Sequence, residues 1–262
     1  MKNKILALVV LPALCLPMFA GINMFIKQKD GKFFQFDVAE LDTLVFFNAV
    51  RPSDSTAHMF VDLGLPSGTL WATCNVGGEN YILGGDFFAW GEVEAKLKYD
   101  FGSYIFADGD IWEPHFKKYN EIDNSYSLSE NDDAASMILQ LDWRMPSRTD
   151  FEELFSKCNQ EWDCRNGICG YYFVGPNGNR IFMPAAGYME KSIHRHLGVS
   201  GLYWTSELVS HDKSKAWQFL ARSNTFTLEK LGRHLGCCIR AVCDFPKEDN
   251  TNVFDLITFH EI

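Results

Sequence analysis

The second half of the chain is divided into short segments rich in aromatic and β-branched residues, each followed by Gly, Asn, Ser or charged residues. Segments of this length are typical of strands, and the breaks between them are typical of turns. Five such segments are 167–175, 180–189, 201–208, 216–223 and 237–243. Because these turn residues are closely spaced, the region is predicted to be a set of short strands and not long helices.

Helical patterns occur just before these strands. Ser129 and Asp132 have the spacing of a capping box, in which two side chains satisfy the first backbone donors of a helix. Apolar residues then follow at helical spacing between Ala134 and Leu141. The adjacent acids Asp132 and Asp133 offer oxygen ligands for a hard cation, but charging and capping this helix is the favoured interpretation.

A second helix is predicted in the stretch LDWRMPSRTDFEEL, residues 141–154. Ser147 is a good N-cap, Asp150 follows three residues later, and Pro146 precedes the cap. The apolar residues from Phe151 to Cys158 fall on one helical face. This crowded run of charges is therefore interpreted as a helix entrance rather than an active site, with Trp143 and Arg144 packing beside it.

Further strands are predicted at 70–76 and 86–93, ahead of both helices. A strand-rich start, two helices and a second series of strands indicate an α+β fold. A small β unit is predicted at 21–50, where the turn residues 29–32 separate two apolar runs. Its segment from Leu41 has the same pattern as the last apolar run of the chain, which suggests two similar flanking strands.

The domain organisation follows from shifts in composition. Residues 1–20 read as a signal peptide, with two lysines before a short apolar run and Ala20 at the end. Polar breaks at 51–58 and from 245 onward bound a main domain at 59–244, and a tail with a short strand occupies 245–262. Export to the periplasm, the outer surface or the medium is therefore expected, without a membrane span in the mature chain. Cys15 is a poor lipid acceptor because Leu14, not a small residue, precedes it.

Charge and cysteine content narrow the classes of function. The formal charge of −10 becomes −12 without Lys2 and Lys4, which disfavours nucleic acid as a partner. Seven cysteines follow the signal segment, so an odd number is available for disulfides. Neither their spacing nor any other motif indicates a metal or a cofactor, and none is predicted.

Candidate ligand-binding residues lie outside the helices. His194, Arg195 and His196 form a basic group in the segment 190–198, which is predicted to be a loop between strands. Trp112 and Trp162 occur in polar surroundings and could stack on sugars or contact a protein. Burial in the core is an equally good interpretation of each tryptophan. No catalytic residue is predicted.

Seven short motifs in fixed order suggest a family. They are VDLGLPSGTLWATCNVG, FFAWGEV, NDDAA, WRMPSRTDFEEL, IFMPAAGY, YWTSEL and GCCIRAV. Together they resemble the Fibrobacter succinogenes major paralogous domain over residues 60–242, with Trp143, Arg144, Pro146, Ser147 and Asp150 in its structural signature. Such domains occur in envelope and secreted proteins, so the resemblance implies location and fold better than activity.

The helix motif and the late IRAV strand also resemble, more distantly, the C-type-lectin-like fold that formylglycine-generating enzymes share. The implied fold is a lectin-like α+β domain, with two helices against short twisted antiparallel strands and short flanking β segments. The calcium–sugar motifs Glu-Pro-Asn and Trp-Asn-Asp are not intact, so calcium dependence is not expected.

The leading functional hypothesis is a non-enzymatic binding or adhesion module for a glycan or a surface protein. The first alternative is an enzyme of the formylglycine-generating type that uses Cys237 or Cys238, with Arg233 and His234 supplying positive charge. Because adjacent residues of a strand point to opposite faces, one of these cysteines would face outward. The second alternative is a structural envelope protein joined to others through its β segments.

Overall fold

A computed structural model describes residues 23–27, 33–37, 60–78, 84–109, 112–140, 142–165, 167–223 and 225–244. The chain divides into two compact units, residues 1–53 and 54–262. The predicted signal peptide, the linker at 51–58 and the tail at 245–262 lie outside the described residues.

The first unit contains an antiparallel strand pair. Strand β1 spans Asn23–Lys27 and strand β2 spans Phe33–Asp37, with Asn23 opposite Asp37 and Lys27 opposite Phe33. This register is the one expected of two apolar runs joined by a short turn. The predicted strand pair is thus confirmed, while its turn at 29–32 is outside the described residues.

The second unit is mostly β, with few and short helices. Its strands are β3 Phe60–Asp62, β4 Leu70–Ala72, β5 Ala107–Gly109, β6 Pro114–Phe116, β7 Trp143–Arg144, β8 Asn159–Arg165, β9 Ile168–Val174, β10 Arg180–Pro184, β11 Tyr188–Glu190, β12 Ile193–Arg195, β13 Ser200–Leu208, β14 Lys215–Arg222, β15 Thr225–Gly232 and β16 Val242–Cys243. Its α-helices are α1 Ala134–Leu139 and α2 Arg148–Lys157. Short 3₁₀ turns occur at Phe101–Ser103 and Glu130–Asp132.

These strands form several small antiparallel sheets. One has the order β3-β4-β16-β7, so the last described strand lies between strands from the start and the middle of the unit. Two three-stranded sheets have the orders β10-β9-β8 and β13-β14-β15, and β5-β6 and β11-β12 are separate hairpins. The aromatic strands β9 and β14 are the central strands of their three-stranded sheets.

The core consists mainly of aromatic side chains in two large buried clusters. One surrounds Trp90 and Trp204, whose indole N–H groups donate to the carbonyls of Thr205 and Phe88 at 2.9 and 2.7 Å. The other places Phe151 of α2 against Phe219 of β14, with ring centroids 4.9 Å apart. Donation by both tryptophans matters because an unpaired indole N–H in a core is costly.

Helix α2 begins as the sequence predicts. The Ser147 hydroxyl accepts from the Asp150 amide at 3.2 Å, and the Asp150 carboxylate accepts from the Ser147 amide at 2.7 Å. Arg144 donates to both carboxylate oxygens of Asp150, at 2.7 and 3.2 Å, and these bonds lower the pKa of that acid against the effect of burial. The conspicuous charges of this stretch therefore order a helix entrance.

We expect Ser147→Ala to lower the free energy of unfolding by about 1 kcal/mol, because the first turn loses its capping acceptor. Urea denaturation measures the change. Ser156→Ala is the matched control on the exposed side of the same helix, where the hydroxyl only donates to the Glu153 carbonyl. A cost for Ser147→Ala no larger than that of the control would contradict the capping role.

The first helix differs from its prediction. Helix α1 is capped by Asp133, whose carboxylate accepts from the amides of Ala135 and Ser136 at 2.8 and 3.3 Å. Ser129 instead precedes the 3₁₀ turn, and its hydroxyl donates to Asp132 at 2.9 Å. The capping-box prediction at Ser129 is wrong because Asp133 also accepts from the buried Met145 amide at 2.7 Å, which fixes it as the cap.

Two predicted strands are largely irregular. Residues 86–93 form only an isolated bridge from Phe88 to Cys237, and Gly91 adopts a positive φ of 86°. In 237–243 only Val242–Cys243 is a strand, since Cys238 and the residues after it bond in turn to different segments. Aromatic content in these stretches reflects burial rather than a continuous ladder.

Candidate functional site

A groove with a volume of about 520 Å³ lies beside the β11–β12 hairpin. Aromatic, charged and glycine residues line it together. They are Tyr99, Asp100, Phe101, Gly102, Gly109, Glu190, Lys191 and His234. The mixture is typical of sites that bind small polar molecules, where an apolar surface is combined with a few placed polar groups.

The wall formed by β11 is fixed by its backbone. Lys191 and Tyr99 exchange two backbone hydrogen bonds of 2.8 and 2.7 Å, and Met189 and Gly236 exchange two of 2.7 and 2.9 Å. Strand β11 is thus held between two segments that are distant in the sequence. The predicted loop at 190–198 is therefore wrong in its first part, which is a two-stranded hairpin. A wall held on both sides is preorganised for binding.

The floor of the groove comes from the 3₁₀ turn at Phe101–Ser103. Asp100 caps this turn, accepting from the Ser103 amide at 3.0 Å, and the Ser103 hydroxyl accepts from the Asp100 amide at 3.2 Å. The half-buried Phe101 ring lies edge-on to Phe116 and His234, with centroids 6.1 and 6.0 Å away. These contacts hold an aromatic surface at the groove.

The charges around the groove are mostly paired. Lys98 lies 2.6 Å from the Asp100 carboxylate and, with the turn, holds the pKa of that acid below its usual range. Arg195 lies 3.2 Å from the Glu190 carboxylate. Burial lowers the pKa of His234, and the negative charges of Asp100 and Glu190 oppose that effect only in part. His234 is therefore a neutral ring at neutral pH.

The β5–β6 hairpin also contributes to the groove lining. Gly109, the last residue of β5, lines the groove with a φ of 85°. A Cβ at this position would come within 2.6 Å of the Glu113 carbonyl, so only glycine fits. Trp112 lies at the tip of the same hairpin and is 87% exposed. The exposed tryptophan provides a large apolar surface on this hairpin.

The predicted basic residues have three different environments. Arg195 pairs with the groove residue Glu190. His194 contacts the Ala186 carbonyl through Nε2 at 2.6 Å and lies edge-on to Phe87. His196 packs against Tyr188, with centroids 5.4 Å apart. Arg195 therefore pairs with a residue of the groove lining, while the two histidines contact other parts of the protein.

The two predicted tryptophans do not share a site. Trp162 belongs to β8, and its ring packs edge-on to Tyr171 at 5.0 Å, at the edge of the second core cluster. Neither Trp162 nor Trp112 is among the residues that line the groove, although Trp112 follows the lining residue Gly109 by three positions. No motif marks the groove residues Phe101 and His234 as ligand-binding candidates, whereas Glu190 and Lys191 lie at the start of the segment 190–198 that the sequence singled out.

The two adjacent cysteines are both inaccessible. Cys237 belongs to the first core cluster and Cys238 to the second, and neither has any exposed surface. Burial raises the pKa of the Cys238 thiol to about 12 and that of Cys237 well above its usual value. The prediction that one of them faces outward is wrong, because both faces of this segment are covered.

The residue expected to supply positive charge to these thiols is used elsewhere. Arg233 is fully buried and donates to the Tyr104 hydroxyl at 2.7 Å and to the carbonyls of Lys118, Tyr119 and Lys213. Its role is therefore structural. A thiol with a raised pKa and no access to solvent is a poor nucleophile.

Among the described residues, no group of three His, Cys, Asp or Glu side chains is placed to hold a metal ion. No described helix is both long and apolar enough to cross a membrane. The structure has one disulfide between described residues, Cys164–Cys169, which links opposite positions of β8 and β9.

Comparisons with protein-family models, with curated proteins and with solved structures gave no match for this chain.

Proposed function

We propose that the protein is an exported binding module of the cell envelope or cell surface, and that it holds a glycan in the groove beside the β11–β12 hairpin. The observation that carries this proposal is the groove itself, with an aromatic floor and ion-paired carboxylates on its walls. A protein ligand is the second outcome that the tests below distinguish.

The shape and chemistry of the groove favour a sugar ring. Its volume of about 520 Å³ falls in the range of small-molecule sites, roughly 300–1,000 Å³. The Phe101 ring offers an apolar face to the C–H groups of a pyranose. Asp100 and Glu190 are acceptors for hydroxyl groups, and Lys98 and Arg195 hold those acceptors in place. Charge-assisted hydrogen bonds of this kind give orientation as well as affinity.

A lectin-like fold for the second unit is part of the proposal. Two short α-helices and several short antiparallel sheets agree with the fold that the motifs imply. Fold alone does not assign a ligand, so the groove carries the functional argument. Export is supported by the Cys164–Cys169 disulfide, since such bonds persist mainly in oxidising compartments.

The enzyme hypothesis based on Cys237 or Cys238 lacks support from the geometry. Both thiols are buried and have raised pKa values, whereas nucleophilic catalysis needs an accessible thiolate. A structural envelope role has no described feature in its favour beyond the strand pair of the first unit. Binding at the groove is therefore the function we propose.

A glycan array containing neutral and acidic saccharides, combined with a pull-down of envelope proteins, tests the proposal. We expect the chain without residues 1–20 to bind a defined group of glycans. Retention of a specific protein in the pull-down, with a blank array, would replace the glycan with a protein ligand. A blank result in both assays, together with turnover of a screened substrate, would contradict the binding function.

A further inference from the structure

Resting on the glycan-binding function proposed above, we infer that the groove prefers a sugar that carries a carboxylate, such as a uronic acid, and that Lys191 binds this group. The inference comes from the ion pairing of the groove residues. Asp100 and Glu190 are compensated by Lys98 and Arg195, at 2.6 and 3.2 Å. Lys191 lines the groove, and among the described residues it has no salt-bridge partner.

The backbone of Lys191 is held in an unusual conformation. It has a φ of 55°, in the left-handed region that favours glycine, and it occupies the first position of the two-residue turn between Glu190 and Ile193. Two backbone hydrogen bonds to Tyr99 fix this position beside the groove. Glycine would carry less backbone strain at this position than lysine does. The presence of a lysine therefore suggests that its side chain has a function.

The lining of the groove combines an aromatic ring with a lysine. Phe101 and Lys191 line the same groove, so a ring placed on Phe101 can direct its carboxylate toward the lysine while its hydroxyls reach Asp100 and Glu190. The formal charge of −10 does not prevent this, because charges beyond about 8 Å are largely screened at physiological salt. The ion pairs of the groove residues therefore decide which substituent of the sugar is favoured.

The test compares two ligands that differ only at the carboxylate: tetragalacturonic acid and its fully methyl-esterified form. Titration calorimetry at low salt should show the acid binding about three- to tenfold more tightly, and the difference should shrink as salt is raised. Lys191→Met should abolish this preference. Lys191→Arg is the control that keeps the charge and should keep the preference.

Several results of these titrations would contradict the inference about Lys191. Equal binding of acid and ester by the unmodified chain, or a preference unchanged in Lys191→Met, would overturn the inference while leaving glycan binding intact. Tighter binding of the ester would also overturn it. If neither tetrasaccharide binds and the array is blank, both the inference and the proposed function fail. Thermal unfolding of Lys191→Met, expected to match that of the unmodified chain, confirms that the exposed substitution leaves the fold intact.

Discussion

Arg240→Met is expected to lower the free energy of unfolding by roughly 3–5 kcal/mol, a loss that endangers folding at physiological temperature. Arg240 has no exposed surface, and burial lowers the pKa of its guanidinium. It donates to Asn75 Oδ1 at 2.8 Å and to the carbonyls of Ala72, Thr73 and Phe182 at 3.0, 2.8 and 2.9 Å. Methionine fills part of the volume but removes the donors of all four hydrogen bonds.

Arg222→Met is the matched control, since Arg222 is exposed at the end of β14. We expect its cost to stay within about 0.5 kcal/mol. Urea denaturation of both variants, followed by circular dichroism, measures the difference. If the two substitutions cost the same, then Arg240 does not connect β4, Asn75 and β10 in the way that the structure indicates.

Arg240 also shows why the sequence predicts only part of the fold. The stretch at 237–243 has the composition of a strand, but its carbonyls and amides bond to segments near residues 72, 76, 88 and 202 in turn. Those partners are set by tertiary packing, which no local pattern encodes. By contrast, Ser147 and Asp150 cap their helix through residues three positions apart, so the start of α2 could be predicted from local chemistry.

Phe101→Ala is expected to weaken glycan binding by roughly 10- to 100-fold, because the groove loses the flat surface against which a sugar ring packs. The ring is half-buried and is supported by Phe116 and His234. Its removal leaves a hollow that water fills when the ligand is absent. Titration calorimetry with the tetrasaccharide pair described above measures the loss.

Two controls separate a binding effect from a folding effect. Phe101→Tyr keeps the aromatic face and should bind within about threefold of the unmodified chain. Trp162→Ala removes a tryptophan that packs on Tyr171 away from the groove lining, and it should leave affinity unchanged below its unfolding temperature. Full affinity in Phe101→Ala, or a large loss of affinity in Trp162→Ala alone, would indicate that the glycan binds outside the groove.

The candidate site could be predicted from the sequence only in outline. The segment at 190–198 is predicted to be a loop and is in part a hairpin, but one of its basic residues, Arg195, does pair with the groove residue Glu190. Phe101 and Gly109 lie more than 100 residues before His234 in the chain, and backbone bridges such as Tyr99 to Lys191 and Met189 to Gly236 bring these segments together. Long-range pairing of this kind leaves no spacing signal.

Hydrogen exchange of the free and glycan-bound chain, analysed by mass spectrometry, tests most directly whether the groove is the ligand site. The strongest ligand from the array is the probe. If the glycan binds in the groove, it should slow hydrogen exchange in peptides that cover 97–103, 188–195 and 232–236. Exchange in the β8–β9 hairpin should not change. Slower exchange at 159–174 with no change in those three segments would contradict it.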